Sequence, residues 1–285
     1  MESLNNFGGL PAGFSGYKKS KIVILPVPYD GTSTWMKGAD KGPRAILEAS
    51  QNMELFDIET NSTVLDAGIH TLPALPAAAT PEKMVADIEK SSMPLIKDGK
   101  FVVMLGGEHS ISMGLIRAYL KKFPKLSVLH LDAHGDTRES YHGSAYNHAC
   151  VMARVREVCP LVQVGIRSVD EDEFKAMDTS RIFFAHDIHD NGRWMQKAVD
   201  LLTSDVFISI DLDVFDPSVL PSTGTPEPGG LGWYQTLEFL KKVIEQKNIV
   251  GFDVVELCPN ALEKSSDFFA AKLIYRMLSM QFRKK

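Results

Sequence analysis

The sequence predicts an α/β fold in which a parallel sheet is covered on both sides by helices. Seven short apolar runs, rich in β-branched and aromatic residues, recur along 285 residues. Continuous apolarity over so few residues marks strands buried on both faces. Between several of these runs lie longer stretches with apolar residues at helical spacing, and alternating strand and helix implies parallel strands joined by crossovers.

In chain order, "MESLNNFGGLPAGFSGYKKSK" precedes the first strand and is expected to be irregular over residues 1–20. "KIVILPVP" is the first strand. "LPALPAAATPEK" reads as a linker too short to separate domains, so a single domain is expected over 1–285. The helix "PEKMVADIEKSSMPLIKDG" follows, then the strand "KFVVMLGG", the helix "ISMGLIRAYLKKFP" and the strands "LSVLHLD", "LVQVGI" and "RIFFAH". After the helix "GRWMQKAVDLLTS" come the last two strands, "DVFISIDLD" and "NIVGFDVVEL". There is no internal repeat and no low-complexity tract.

A net charge of −5 with both signs well mixed gives no reason to expect a nucleic acid or an anionic membrane as partner. A small-molecule partner is expected instead. Cys150, Cys159 and Cys258 are odd in number and lack CxxC spacing, which indicates neither a disulfide framework nor a zinc ribbon and fits a reducing compartment. The start lacks the basic and continuously apolar regions of a signal peptide, and no apolar run approaches a membrane span. The expected location is cytoplasmic.

Ligands of open parallel sheets bind beyond the carboxyl ends of the strands. Four of the predicted strands finish in acidic or imidazole side chains: Glu108 and His109; Asp132, His134 and Asp136; Asp211 and Asp213; and Glu256. Extended backbone repeats every two residues, so the alternating side chains of "DAHGD" can face one way, as can those of "DLD". With His109 from the neighbouring strand end, two imidazoles and four carboxylates gather. Without a cation four carboxylates would repel one another and force protons onto some of them. Two divalent cations would cancel the charge. Oxygen-dominated ligation suits manganese better than zinc, although affinity alone leaves nickel, cobalt and zinc open. Two metals roughly 3.5–4 Å apart can share a water and turn it into hydroxide at neutral pH, which predicts hydrolysis.

Each piece alone has a plainer explanation. "DAHGD" could be a helix cap or turn, "SIDLD" a solvated strand end, and "GGEHS" a tight turn beside a core imidazole. Their joint occurrence at successive strand ends would need independent coincidences.

These residues resemble the ureohydrolase family, which contains the arginases, agmatinases and related guanidino hydrolases. "LGGEHS" at 105–110 and "LDAHGDTR" at 131–138 look like its first two signatures, and "SIDLDVFDPSVLPSTGTPEPGG" like its third. "PVPYDGTSTWMKGADKGPRAILEAS" is similar to the agmatinase-like branch. The resemblance implies a three-layer α/β/α domain with a mostly parallel eight-stranded sheet, assembled as a homo-trimer or homo-hexamer. It implies two manganese ions per subunit, one held by His109, Asp132, Asp136 and Asp211, the other by Asp132, His134, Asp211 and Asp213. A metal-bridging hydroxide would attack the guanidinium carbon, with Asp136 orienting it and helping its proton to the leaving amine.

By the same resemblance His148 takes the place of the family's proton-shuttling histidine, with His142 of the same loop a competitor. An imidazole suits that role because its unperturbed pKa lies near working pH. Glu256 takes the place of the glutamate that pairs with the substrate guanidinium, a planar cation that a carboxylate can meet bidentately. The arginase "SGN"-like segment is replaced by "RESYHGSAYNH", although Ser144 and Asn147 could donate hydrogen bonds and Arg138 could attract a carboxylate. The agmatinase branch implies cleavage of agmatine to putrescine and urea. Guanidinobutyrate, arginine and guanidine remain open as substrates. A single-zinc deacetylase would not require Asp136, Asp213 and Glu256, and a non-catalytic scaffold would not require His148 and Glu256. Glu108 and Gly135 depart from the common family residues beside the ligands and are expected to bear on metal affinity.

Overall fold

The computed structural model describes residues 6–189 and 192–283. Eight strands form one sheet: β1 Ile22–Val27, β2 Ile69–Thr71, β3 Phe101–Gly106, β4 Ser127–Leu131, β5 Leu161–Ile166, β6 Ile182–Phe184, β7 Asp205–Asp211 and β8 Asn248–Val255. Their order is β2-β1-β3-β8-β7-β4-β5-β6, and every pairing is parallel. The expected sheet, mostly parallel, is entirely so. Seven strands fall on the seven apolar runs. β2 does not, because three residues are too short to show a period. Of the segment expected to be irregular, residues 1–5 lie outside the described residues, and Phe7–Gly9 and Ala12–Ser15 form short helical turns.

Burial explains why the runs are apolar without alternation. All residues of β1, β3 and β5 are buried, yet neighbours along a strand belong to different cores. Ile22 and Ile24 pack with the helices Gly42–Ser50 and Ser265–Phe282, whereas Val23, Leu25 and Val27 pack with Pro81–Lys97 and Ser112–Leu120. Helices Arg193–Leu201 and Trp233–Gln246 complete the first layer. The period of two is present, but both faces are apolar. Thr80 caps Pro81–Lys97 by accepting the Lys83 N–H at 3.3 Å, and Pro81 at the first position needs no partner for a missing N–H.

β3, β8, β7 and β4 are adjacent, so the four strand ends singled out by their acidic and imidazole residues form one edge. His109 does not follow a strand next to β4, as the sequence suggested, since β8 and β7 intervene. The turn after β3 requires glycine: a Cβ on Gly107 would lie 1.8 Å from the Tyr29 carbonyl oxygen. This close approach seats the loop after β1 against the same edge. Among the described residues no helix is long and apolar enough to cross a membrane.

Candidate metal centre

The donor atoms converge most closely in front of His109. Its Nδ1 lies 3.2 Å from Asp132 Oδ2, 3.1 Å from Asp136 Oδ2 and 3.3 Å from Asp211 Oδ2. None of these contacts is aligned as a hydrogen bond, so Nδ1 is a buried nitrogen without a hydrogen-bond partner. One imidazole nitrogen and three carboxylate oxygens converging on one point are the donor set of a coordination sphere. On the other side, His134 Nδ1 lies 2.9 Å from Asp213 Oδ2 and 3.5 Å from Asp132 Oδ1. Asp132, His134 and Asp213 form one potential metal-holding group; Asp132 also joins His109, Asp136 and His130 in a second. This donor set fits divalent cations, and Asp132 faces both groups.

Backbone N–H groups aim the carboxylates. Asp132 Oδ1 accepts from His134 N at 2.6 Å, Asp213 Oδ1 from Ala133 N at 3.0 Å, and Asp211 Oδ1 from Asp213 N at 2.9 Å. Asp136 and Glu256 have φ values of 53° and 65°, a left-handed backbone uncommon outside glycine. Backbone strain at two residues of one cleft is the pattern expected of a functional site.

The charges are in conflict without a cation. Burial pushes the Asp136 carboxyl up to about 7, with repulsion from Asp132 adding to it. Burial followed by the charges of Asp213 and Asp132 raises Asp211 well above the carboxylate range. Burial also opposes ionisation of Asp132, but His130 and His109 outweigh it and hold that carboxyl well below. Glu256 is raised by burial and then by Glu108. Metal ligation would relieve this conflict because it favours deprotonated ligands.

His130 has no counterpart in the expected ligand set. It is fully buried in β4, with Nε2 2.7 Å from Asp132 Oδ2 and Nδ1 3.0 Å from Gln163 Nε2. Gln163 Nε2 also donates to the Gly135 carbonyl at 2.8 Å. The amide therefore donates to Nδ1, the hydrogen sits on Nε2, and His130 donates to Asp132 rather than offering a lone pair to a metal. Adjacent, paired strands place His130 and Gln163 opposite each other. Inside "SVLHLD" the residue reads as part of a buried strand, and only its position two before Asp132 hints at a shared face.

Above the cluster opens a cleft of about 350 Å³ whose lining includes His134, Asp136, His148, Asp211, Asp213 and Glu256. His142 is exposed and is not among the lining residues, unlike His148. Burial, followed by the charges on His109 and His134, pushes the His148 imidazole down to about 4. Glu256 Oε1 accepts from the His109 backbone N–H at 2.8 Å.

Of three candidates for binding the substrate tail, Ser144 and Asn147 are not among the residues that line the cleft. Ser144 donates to Glu82 at 2.7 Å, and Asn147 is buried and accepts from Ala149 N at 3.2 Å. Arg138 does line the cleft, but it lies 3.7 Å from Glu173 and 3.9 Å from Asp170, stacked over Tyr141. Its charge is already matched. Gly135 is explained by Glu173: a Cβ there would lie 2.6 Å from Glu173 Oε1, which accepts from Thr137 N and Oγ1.

Residues 20–279 match the family model described as Arginase family. The chain is 38% identical to the N(1)-aminopropylagmatine ureohydrolase of Synechocystis sp., over 98% of this chain and 96% of that protein. It is 35% identical to the agmatinase of Pyrococcus horikoshii, over 93% and 94%. The agmatine ureohydrolase of Thermoplasma volcanium has a similar structure, with a TM-score of 0.90, 31% identity, and coverage of 99% of this chain and 96% of that one. The chain belongs to the arginase family, as an enzyme of its agmatinase-like ureohydrolase branch.

Proposed function

We propose that the enzyme cleaves the guanidino group of agmatine, giving putrescine and urea. The supporting observation is the buried carboxylate–imidazole cluster around His109 Nδ1 at the base of a cleft that Glu256 lines. In this reading His109, Asp132, Asp136 and Asp211 hold one manganese ion, and Asp132, His134, Asp211 and Asp213 the other. When bound, the metal pair supplies Lewis-acid activation of water at neutral pH.

This chain's residues do the rest. Glu256 receives the planar guanidinium, which stays cationic and offers paired N–H donors to a carboxylate. Asp136 orients the attacking water and accepts its proton. As the carbon–nitrogen bond to the alkyl chain breaks, His148 carries a proton to the departing amine, which would otherwise leave as an unstable anion. Water is consumed, and urea and an amine result.

A second reading, N(1)-aminopropylagmatine, is favoured by the cleft rim. Trp35 there is 78% exposed, so a longer chain bearing another ammonium would meet an aromatic face. The relative at 38% identity carries that substrate in its name. Urea release by manganese-loaded protein from agmatine, N(1)-aminopropylagmatine, arginine and guanidinobutyrate separates these readings. The highest kcat/KM for agmatine is expected. Preference for the aminopropyl compound moves the assignment to the second reading, and no urea from any compound overturns both.

A further inference from the structure

Arg167 stands immediately after β5, half-buried and not among the residues that line the cleft. Its backbone N–H donates to the Ala133 carbonyl at 2.8 Å, as that of Ser168 does at 3.0 Å. Ala133 lies between Asp132 and His134, and its own N–H donates to Asp213 Oδ1 at 3.0 Å. The main chain of Arg167 thus fixes the turn that carries Asp132 and His134, and through it one oxygen of Asp213.

The side chain of Arg167 fixes the facing segments. Among the described residues, every hydrogen bond of its guanidinium goes to a backbone carbonyl oxygen. Apart from Gly165 in its own strand, these carbonyls belong to the turn after β7 and to the loop beyond it. In the turn, Nη2 donates to Asp213 O at 2.6 Å and Nη1 to Val214 O at 3.3 Å. In the loop, Nη2 donates to Glu227 O at 2.7 Å and Nε to Pro228 O at 3.1 Å. Asp216 ties the same loop to the same turn, its Oδ2 accepting the Gly229 N–H at 2.8 Å. Glu227 Oε1 is thereby held 3.8 Å from Nε2 of His134, the ring nitrogen that does not meet Asp213. A planar fork of N–H donors can serve two backbone segments at once, which the single point of a lysine ammonium cannot.

We propose that Arg167 is a positioning residue for the manganese ion assigned to His134 and Asp213: it holds the turn that carries Asp213 and the loop that brings Glu227 up to His134. The ion in front of His109 draws on other supports, because His109 is held by Ser209 and, at its backbone, by Glu256. This inference rests on the reading of His134 and Asp213 as metal ligands.

The test compares the parent protein with Arg167→Lys, which keeps the charge but not the fork, and with Arg167→Met, which keeps only an apolar stem. Calorimetric titration of the metal-free parent should resolve two manganese ions. In both variants one ion should bind within about twofold of the parent and the other roughly tenfold or more weakly, the scale on which loss of a ligand's supporting partner acts. Electron paramagnetic resonance distinguishes a coupled manganese pair from an isolated ion. At two equivalents the parent should give the pair and the variants the isolated ion, as Asp213→Asn should. Two ions of unchanged affinity in Arg167→Lys, or equal weakening of both ions, would overturn the inference, and Arg167→Lys decides if Arg167→Met fails to fold. Fewer than two ions in the parent would overturn the metal-pair reading itself and the inference with it, so the two failures are distinguishable.

Discussion

Asp132 is pulled from three directions, by His130 at 2.7 Å and by the two histidine nitrogens at 3.2 and 3.5 Å. The sequence made Asp132 and its alternating neighbours legible because strand-end side chains recur every second residue. It hid His130, which looks like any residue of a buried strand, and it could not show that Gln163 on the next strand sets the His130 tautomer. His130→Phe should therefore keep the fold while weakening manganese binding roughly tenfold or more, as loss of a ligand-orienting partner does. Calorimetric titration of metal-free protein measures this, and unchanged affinity would show that Asp132 needs no such support. Glu256→Gln should act on the other partner of the reaction. Its manganese content should hold while KM for agmatine rises roughly tenfold or more, the scale of one charge-assisted hydrogen bond. Unchanged steady-state kinetics would remove Glu256 from the substrate contact.

Seven of the eight strands were readable one by one, but their order was not, because lateral neighbours are chosen by packing of helices that no single run encodes. The consequence is visible at Ser209 of β7 and Asp253 of β8, which face each other in register, with Ser209 Oγ 2.7 Å from Asp253 Oδ1 and 3.0 Å from His109 Nε2. Three strands thus support one imidazole. The helix Ser265–Phe282 is buried around much of its circumference, so its apolar residues do not form the single stripe that sequence periodicity reveals. Among its buried charged residues is Arg276, which pairs with buried Asp57 and with Glu59. Burial alone would raise the Asp57 carboxyl, but Arg276 and Thr60 hold it below its usual range. Arg276→Met would strand that carboxylate and is expected to cost about 3–5 kcal/mol. Urea unfolding should show a lower midpoint at unchanged slope; an unmoved midpoint would mean that the pair contributes nothing.

Across the whole molecule, the site gathers negative charge that the fold cannot hold alone. Asp136, pushed up to about 7, binds its proton more tightly in the folded chain than in the unfolded one. A carboxyl shifted this way stabilises the fold only while protonated. Its contribution is complete below about pH 4 and is lost as the pH rises through about 7. Asp211, raised in the same direction, has the same sign. Manganese reverses the balance, because it binds the deprotonated carboxylates that the metal-free chain disfavours, and binding only to the folded chain raises its stability. The increase in Tm on adding manganese should therefore be small near about pH 5 and grow steadily toward about pH 8. Thermal scans of metal-free and manganese-saturated protein across that range measure it directly. A Tm increase independent of pH would mean that metal binding displaces no protons, and the cluster around His109 would then not be where the cation sits.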